Sequence, residues 1–589
     1  MHDGYYCNPE FYLAAVLAAI LSFSGCNFLE APPSTDLNED KVFSDRTLCE
    51  RFITGIYAEG MPLGFSMNSD NIDRGLCATS TRAGACDEGE AGASWDKANA
   101  SWNTDNHNNN SIDWDEDPRH DTRWATIRKC NTLLERIDEV PYDPGDPEFN
   151  SRAKGEGYFM RAISFWEGVY RYGGLPIVDH RITGSEDAKY PRNTFSECID
   201  FIVKDCDEAA KLLPDKYTNP AFVGRATRIA ALALKSRVLL YAASPLFNTA
   251  TPYLSLGGEN NKIIGYGNYD AERWKKAADA AKEAIDAAEA AGYALYDKGT
   301  PETNYEYVWT TPDNCEIILA NKKYRNFSTN TKPITSNIPQ WAGSSWSDGG
   351  LFAPLNFVKK YEKKDGTEQE WLMSGGDDLL KKYSELDPRF AQTIAYHGAV
   401  WNDEIGKLDF LEGGAHQVAY DKTRHLVRKW VPRTLKATYP HNSVNMDWIV
   451  FRMAELYLNY AEAVNEFQGP TAEAVAAVSK VRNRSGMPAF PSTLTKSQFR
   501  EKLRNERAVE LAYEDHRFWD IRRWMIAENE GVMQGKFYGL QISRIEGSSE
   551  VHYKPYVFEN RLWSRRSYLH PIKQLEVDKG YLIQNPGWE

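Results

Sequence analysis

The chain has 589 residues, 42% hydrophobic and 26% charged, enough for up to about four domains and for a large buried core. Its formal net charge of −14 excludes nucleic acid as a partner, because phosphate binding needs a basic stripe, and it disfavours strongly anionic ligands. The 17 Trp, 32 Tyr and 25 Phe exceed what core packing requires, so some of these rings are expected on a ligand surface.

The first element is an apolar run, "FYLAAVLAAILSFSGC", of signal-peptide length and too short to span a bilayer comfortably. It ends Ser24-Gly25-Cys26, similar to a bacterial lipobox, and predicts a lipoprotein signal peptide over 1–25 with acylation of Cys26. Two features depart from that pattern: Phe23 stands where Leu is usual, and "MHDGYYCNPE" has no Lys or Arg. An ordinary secretory signal or a buried apolar segment is the alternative. No later stretch is apolar enough to cross a membrane, so attachment is expected by lipid alone. Residues 26–45 are polar with a Pro pair and read as a tether. The nine cysteines have no C-x-x-C and no metal-ligand spacing; Cys77 and Cys86 could bridge a loop, but scattered buried thiols are favoured.

Helical periodicity dominates from residue 46 onward. One face of 155–172 carries Tyr158, Ala162, Phe165, Trp166 and Val169 before a Gly173-Gly174 stop. Thr194 and Glu197 form a capping box ahead of 194–213, and 226–244 is rich in Ala and Leu. Asp270 caps 270–291, with a stripe from Trp274 to Ala288 and Gly292 behind it. Residues 448–467 and 471–485 form another pair split by Gly469-Pro470, and Thr495 with Gln498 opens a long helix to about 525. Between them, 297–447 is rich in Asn, Gly, Trp, Tyr and Pro, with helical hints only at 353–362 and 377–385. The predicted fold is mainly α: a tetratricopeptide-like scaffold of helical pairs in one compact unit. A helical part with binding loops (46–296) and a C-terminal helical part with a tail (448–589) flank an irregular lobe (297–447).

Glu506, Glu510 and Glu514 share a helical face at i, i+4. A carboxylate-bridged metal site would want Glu-x-x-His, and the partner positions hold Val509, Tyr513 and Arg517. That face therefore reads as a solvated or inter-helix salt-bridge surface close to Arg507 and Arg517. No G-x-S-x-G, H-E-x-x-H, Walker or G-x-G-x-x-G motif is present, and 83 acidic residues make any carboxylate pair uninformative about glycoside hydrolysis. The string "DNHNNNSIDWDEDPRHD" (105–121) lacks calcium-loop register and reads as a polar surface loop. No cofactor or metal is expected.

Two aromatic-polar stretches remain, 66–114 and 324–350. Sugars present apolar C–H faces ringed by hydroxyls, so their sites combine flat aromatic platforms with amide, carboxylate and guanidinium groups. The candidates are Asp73, Arg74, Trp95, Trp102, Asn103, Trp341 and Trp346, with Trp102 and Asn103 as the best centre; packing by loop wrapping is the alternative for each. Trp166, Trp274, Trp519 and Trp524 lie on helix faces and are expected in the core, and Trp114 is the loop tryptophan closest to that role.

Five strings resemble the SusD/RagB family in order and spacing over essentially the whole mature chain. They are "FMRAISFWEGVYRYGGLPIV" (159–178), "GRATRIAALALKSRVLLYAASPLF" (224–247), "FRMAELYLNYAEAVNE" (451–466), "RNERAVELAYEDHRFWDIRRW" (504–524) and "YLHPIKQLEVDKGYLIQNPGW" (568–588), the last with Lys573 where a second Pro is common. The resemblance implies a non-catalytic outer-membrane lipoprotein on the cell surface, anchored by lipid. Such a protein binds an oligosaccharide and acts as a lid on a SusC-like, TonB-dependent transporter. Its ligand-contacting aromatics would come from 66–114 and 324–350. A peptide-binding member of the same fold, a helical-frame glycoside hydrolase and a ligand-free scaffold are the rival readings.

Overall fold

The computed structural model describes residues 38–62, 82–112, 116–117, 119–182, 184, 189–322, 338–343, 350–418 and 420–589. Cys26, Asp73, Arg74, Cys77, Trp114 and Trp346 lie outside them.

Helices α1 (Arg46–Gly60), α2 (His120–Arg136), α3 (Phe149–Tyr172), α4 (Phe195–Leu212), α5 (Arg228–Ala243) and α6 (Glu272–Ala290) pack each against the next, the arrangement expected of stacked helical pairs. Their ends follow local chemistry. Thr194 Oγ1 accepts the N–H of Glu197 (3.2 Å) while Glu197 Oε2 accepts that of Thr194 (2.8 Å), closing the capping box of α4. Asp270 Oδ1 accepts the N–H of Glu272 at the start of α6 (2.9 Å). Small residues allow close approach: a Cβ at Gly155 of α3 would meet Leu213 at 2.9 Å. Trp166, Trp274, Trp519 and Trp524 are all buried, as their helix-face positions predict.

The stack resumes after a long insertion, because α7 (Met453–Gln468) packs on α5 and α6 and is followed by α8 (Ala472–Arg484) and α9 (Lys496–Glu510). Strand β2 (Ile317–Asn321) pairs antiparallel with β6 (Trp448–Arg452) and ties the departing chain to the returning one. A small antiparallel sheet lies to one side, in the order β1 (Glu90–Ala91), β3 (Leu351–Phe352), β5 (His425–Val427), β4 (Ile394–Tyr396).

Three expectations are corrected. Residues 448–452 form β6 rather than the start of a helix, because Trp-Ile-Val-Phe suits a buried strand better than a helical turn. The long helix from Thr495 ends at Glu510 and restarts as α10 (Arg517–Arg523), with Tyr513 (φ 58°) and Asp515 (φ 66°) in left-handed conformations between them. The break is held by tertiary bonds: Tyr513 N–H donates to Glu88 Oε1 (2.6 Å), and Trp430 Nε1 donates to the Tyr513 carbonyl (3.0 Å). Finally, the C-terminal part contains a ten-register hairpin, β7 (Gly535–Arg544) with β8 (Val551–Arg561), which helical periodicity did not announce.

Glu506 and Glu510 of α9, and Glu514 in the turn beyond it, are all internal. Glu510 accepts from Arg389 (2.9 Å), Arg452 (2.7 Å) and Arg484; Glu506 from Arg482 (2.7 Å) and Arg389; Glu514 from Arg452 (2.7 Å) and Lys429 (2.6 Å). Arg507 and Arg517 pair instead with Asp520 and Asp87, each at 2.7 Å. Burial opposes ionisation of Glu510, but the Arg484, Arg452 and Arg389 guanidiniums overcome it and hold the carboxyl well below the usual carboxylate range. The solvated option is excluded, and the network joins α8, α9 and β6 to the lobe.

Candidate functional site

The polar, tryptophan-bearing residues 82–112, with 116–117, are threaded into the helical frame. Asp87 pairs with Arg517 (2.7 Å), Glu90 with Arg561 (2.7 Å), Glu116 with Arg171 (3.0 Å) and His570 (2.6 Å), and Asp117 with Arg123 and the Tyr172 hydroxyl (2.7 Å). These four buried carboxylates are each met by a cation or His570 from a helix, strand β8 or the tail, so a largely polar segment can still be interior.

Trp102 and Asn103 are corrected on this basis. Trp102 is 2% exposed, stacked on His107 at 3.9 Å and edge-on to Phe518, with the Arg522 guanidinium 5.4 Å from its ring. Asn103 is buried and donates through Nδ2 to the Gly84 carbonyl (3.2 Å), and its own carbonyl accepts the Leu562 N–H (2.9 Å). Both are core, not platform. The polar surface loop expected at 105–121 is likewise docked where it is described: His107, Glu116 and Asp117 are buried. Cys86 is a free buried thiol, its pKa pushed well up by burial, in keeping with unpaired cysteines.

Trp95 differs from Trp102: it is 52% exposed. Its loop is fixed from below by Asn99, whose Nδ2 donates to the carbonyls of Ala91 (2.8 Å) and Ala93 (3.0 Å), and by Asp96, whose Oδ1 accepts the Ala98 N–H (2.9 Å). The ring is thus presented by a pinned turn rather than a free loop. Trp341 is half-buried on a one-turn helix, edge-on to Trp401 at 5.2 Å and to His416 at 5.1 Å. Its Nε1 has no acceptor.

The fold brings the two aromatic-polar stretches together. Strand β1 pairs with β3, and Gly92 N–H donates to the Gly350 carbonyl (3.1 Å), so the chain entering the Trp95 turn lies beside the end of the second stretch. At the other stem, Asn321 Nδ2 donates to the carbonyls of Met61 (3.3 Å) and Pro62 (3.1 Å). Met61, Pro62 and Asn321 therefore lie side by side on the scaffold.

Sequence reasoning missed Trp401 and Arg428. Trp401 is buried against Trp341, and the Arg428 guanidinium lies 4.5 Å over its ring. Nε, Nη1 and Nη2 of Arg428 have no acceptor among the described residues, and burial pushes its pKa down to about 9. No local pattern marks Arg428: Arg192 and Arg522 are also buried without a carboxylate but bond to carbonyl oxygens, which Arg428 does not among the described residues. No group of three or more His, Cys, Asp or Glu able to hold a metal occurs among the described residues.

These features define a class, a helical-repeat protein that presents an aromatic and polar face from loops carried on its scaffold. The chain belongs to the SusD/RagB family: residues 305–588 match the model of the SusD family, and residues 28–240 match a SusD-like model described as "Starch-binding associating with outer membrane". A SusD-like protein of Bacteroides fragilis has a solved structure similar to this one, with 28% identity, a TM-score of 0.74, and 95% of this chain and 100% of that chain covered. A SusD-like protein of Formosa agariphila is 22% identical over 528 residues, 87% of this chain and 90% of its own. The fold also matches a laminarin-binding SusD-like protein at 20% identity and a TM-score of 0.58, covering 92% of this chain and 100% of that one. No helix of the described residues is long and apolar enough to cross a membrane.

Proposed function

We propose that this protein captures oligosaccharides at the cell surface and delivers them, uncleaved, to a SusC-like TonB-dependent transporter while held to the outer membrane by a lipid on Cys26. The observation that carries the glycan reading is the pairing of stems at β1–β3 and at Asn321. It supports that reading because the exposed Trp95 follows β1 on a pinned turn, and β3, the partner of β1, follows directly on the second aromatic-polar stretch. Trp95 offers a flat face to a sugar ring and Trp341 a partly covered second ring. Asp73, Arg74 and Trp346 belong to the same proposal through the stretches that contain them. The family's starch-binding description and the laminarin-binding neighbour support a glycan as the ligand class.

A single platform contributes roughly 0.5–1.5 kcal/mol beyond area burial, so Trp95→Ala is expected to weaken glycan binding about 2- to 12-fold in titration calorimetry. Its unfolding temperature should stay within a degree or two of the parent's. Cys26→Ala should move the protein from the membrane fraction to the soluble one; retention in the membrane would count against the anchor.

A further inference from the structure

A cleft of about 350 Å³ opens beside the start of α2, and neither Trp95 nor Trp341 lines it. Its volume is at the small end of ligand pockets, room for about one or two pyranose rings. Three parts of the chain build it: the first turn of α2, the end of α3 with the loop after it, and the C-terminal tail around 572–582.

The tail wall is fastened, so the cleft is preformed. Arg192 donates to the Gly174 carbonyl (2.7 Å), the Ile583 carbonyl (2.8 Å) and Asn585 Oδ1 (2.9 Å). Asn585 Nδ2 in turn donates to the carbonyls of Tyr172 (3.0 Å) and His570 (2.7 Å). Farther along, Asn109 Nδ2 donates to Gln574 Oε1 (2.7 Å).

Four rings line this space: Trp124, Tyr172, Tyr190 and Tyr581. Two carboxylates, Asp121 and Glu576, also line it and can accept from hydroxyls. Arg123, 6% exposed, also lines the cleft, with its Nη atoms held by Asp117. The charge pattern narrows the ligand further. Arg192 is buried with only neutral oxygens around it and repels a cation, whereas Asp121, bonded to His120, and Glu576, paired with Lys579, leave no free positive charge there among the described residues to hold an anion.

We propose that this cleft is a second binding site for a neutral, hydroxyl-bearing ring, a sugar residue of the captured glycan, independent of the loop face. The choice of sugar among such rings rests on the glycan reading above. A ligand touching both sites would gain from effective concentration without any new contact at either one.

The test is saturation-transfer NMR on the unlipidated protein from residue 27 with maltotriose and with laminaritriose, comparing parent, Trp95→Ala, Tyr581→Ala and Glu576→Ala. We expect Trp95→Ala to keep a signal at raised trisaccharide concentration, and either tail substitution in that background to reduce it at least threefold. Loss of all signal in Trp95→Ala alone, no effect of either tail substitution, or silence from both trisaccharides overturns the second site. A glycan array that stays positive for the parent and is lost in Trp95→Ala would then leave the proposed function standing, and a blank array would remove both.

Discussion

Two tryptophans seven residues apart meet opposite fates, and the cause is what each can reach. Trp102 is enclosed by His107, Phe518, His570 and Arg522, whereas Trp95 sits at the outer edge of a turn tied down by Asn99 and Asp96. Trp102→Ala should therefore cost about 3–5 kcal/mol in urea unfolding, the range for emptying a buried aromatic site, where Trp95→Ala costs almost nothing. Equal effects would contradict the division. Composition made both rings visible, but their burial depends on Arg517, Arg561 and His570, more than 400 residues away in sequence. No local pattern could separate them.

The buried carboxylates predict a pH profile of two slopes. For Glu462, burial is outweighed by Arg523, which holds the carboxyl at about 2 against an ordinary 4.5; its contribution is complete above about pH 4.5 and lost as pH falls towards 2. Glu88 runs the other way. Burial lifts it to about 8, so its contribution is complete below 4.5 and declines as pH rises to 8. Scanning calorimetry should give an unfolding temperature that drops steeply below pH 4.5. Between pH 6.5 and 8, above the range in which buried histidines such as His425 charge on unfolding, it should drift down more in the parent than in Glu88→Gln. Equal drift in the two proteins would oppose the Glu88 assignment.

At the scale of elements, the helices were legible because their signals are local: the boxes at Thr194 and Thr495, the stop at Gly469, the stripe of α6. Strand β6 and the β7–β8 hairpin were not, because their hydrogen bonds run to partners that periodicity does not name. The kink after Glu510 was missed for the same reason: Glu88 and Trp430 hold it, and the sequence between 511 and 516 contains no Gly or Pro to announce it. The hairpin docks through Gly539, where a Cβ would meet the Lys422 carbonyl oxygen at 1.9 Å. Gly539→Ala should force the hairpin off its support at a cost of about 1–3 kcal/mol, read as faster amide exchange across 535–561. Unchanged exchange there would mean that the close approach is not needed.

Over the whole molecule, the helical stack runs through α1–α6 and resumes at α7, so the insertion and the loops of the first half can vary while the frame stays intact. Strand pairing of β1 with β3 and the Asn321 bonds to Met61 and Pro62 tie the described ends of the two aromatic-polar stretches to that frame. The family resemblance anticipated the helical frame and named the two stretches; it did not separate the exposed ring from the buried one. The central claim is that this protein binds a glycan through Trp95 and does not cut it. Calorimetric titration of a glycan-array hit into the parent and Trp95→Ala proteins, followed by chromatography of the recovered glycan, tests it directly. The account predicts binding that weakens about 2- to 12-fold in the variant, with the glycan recovered intact. Equal affinity in the two proteins, or shortened products in the recovered fraction, would contradict it.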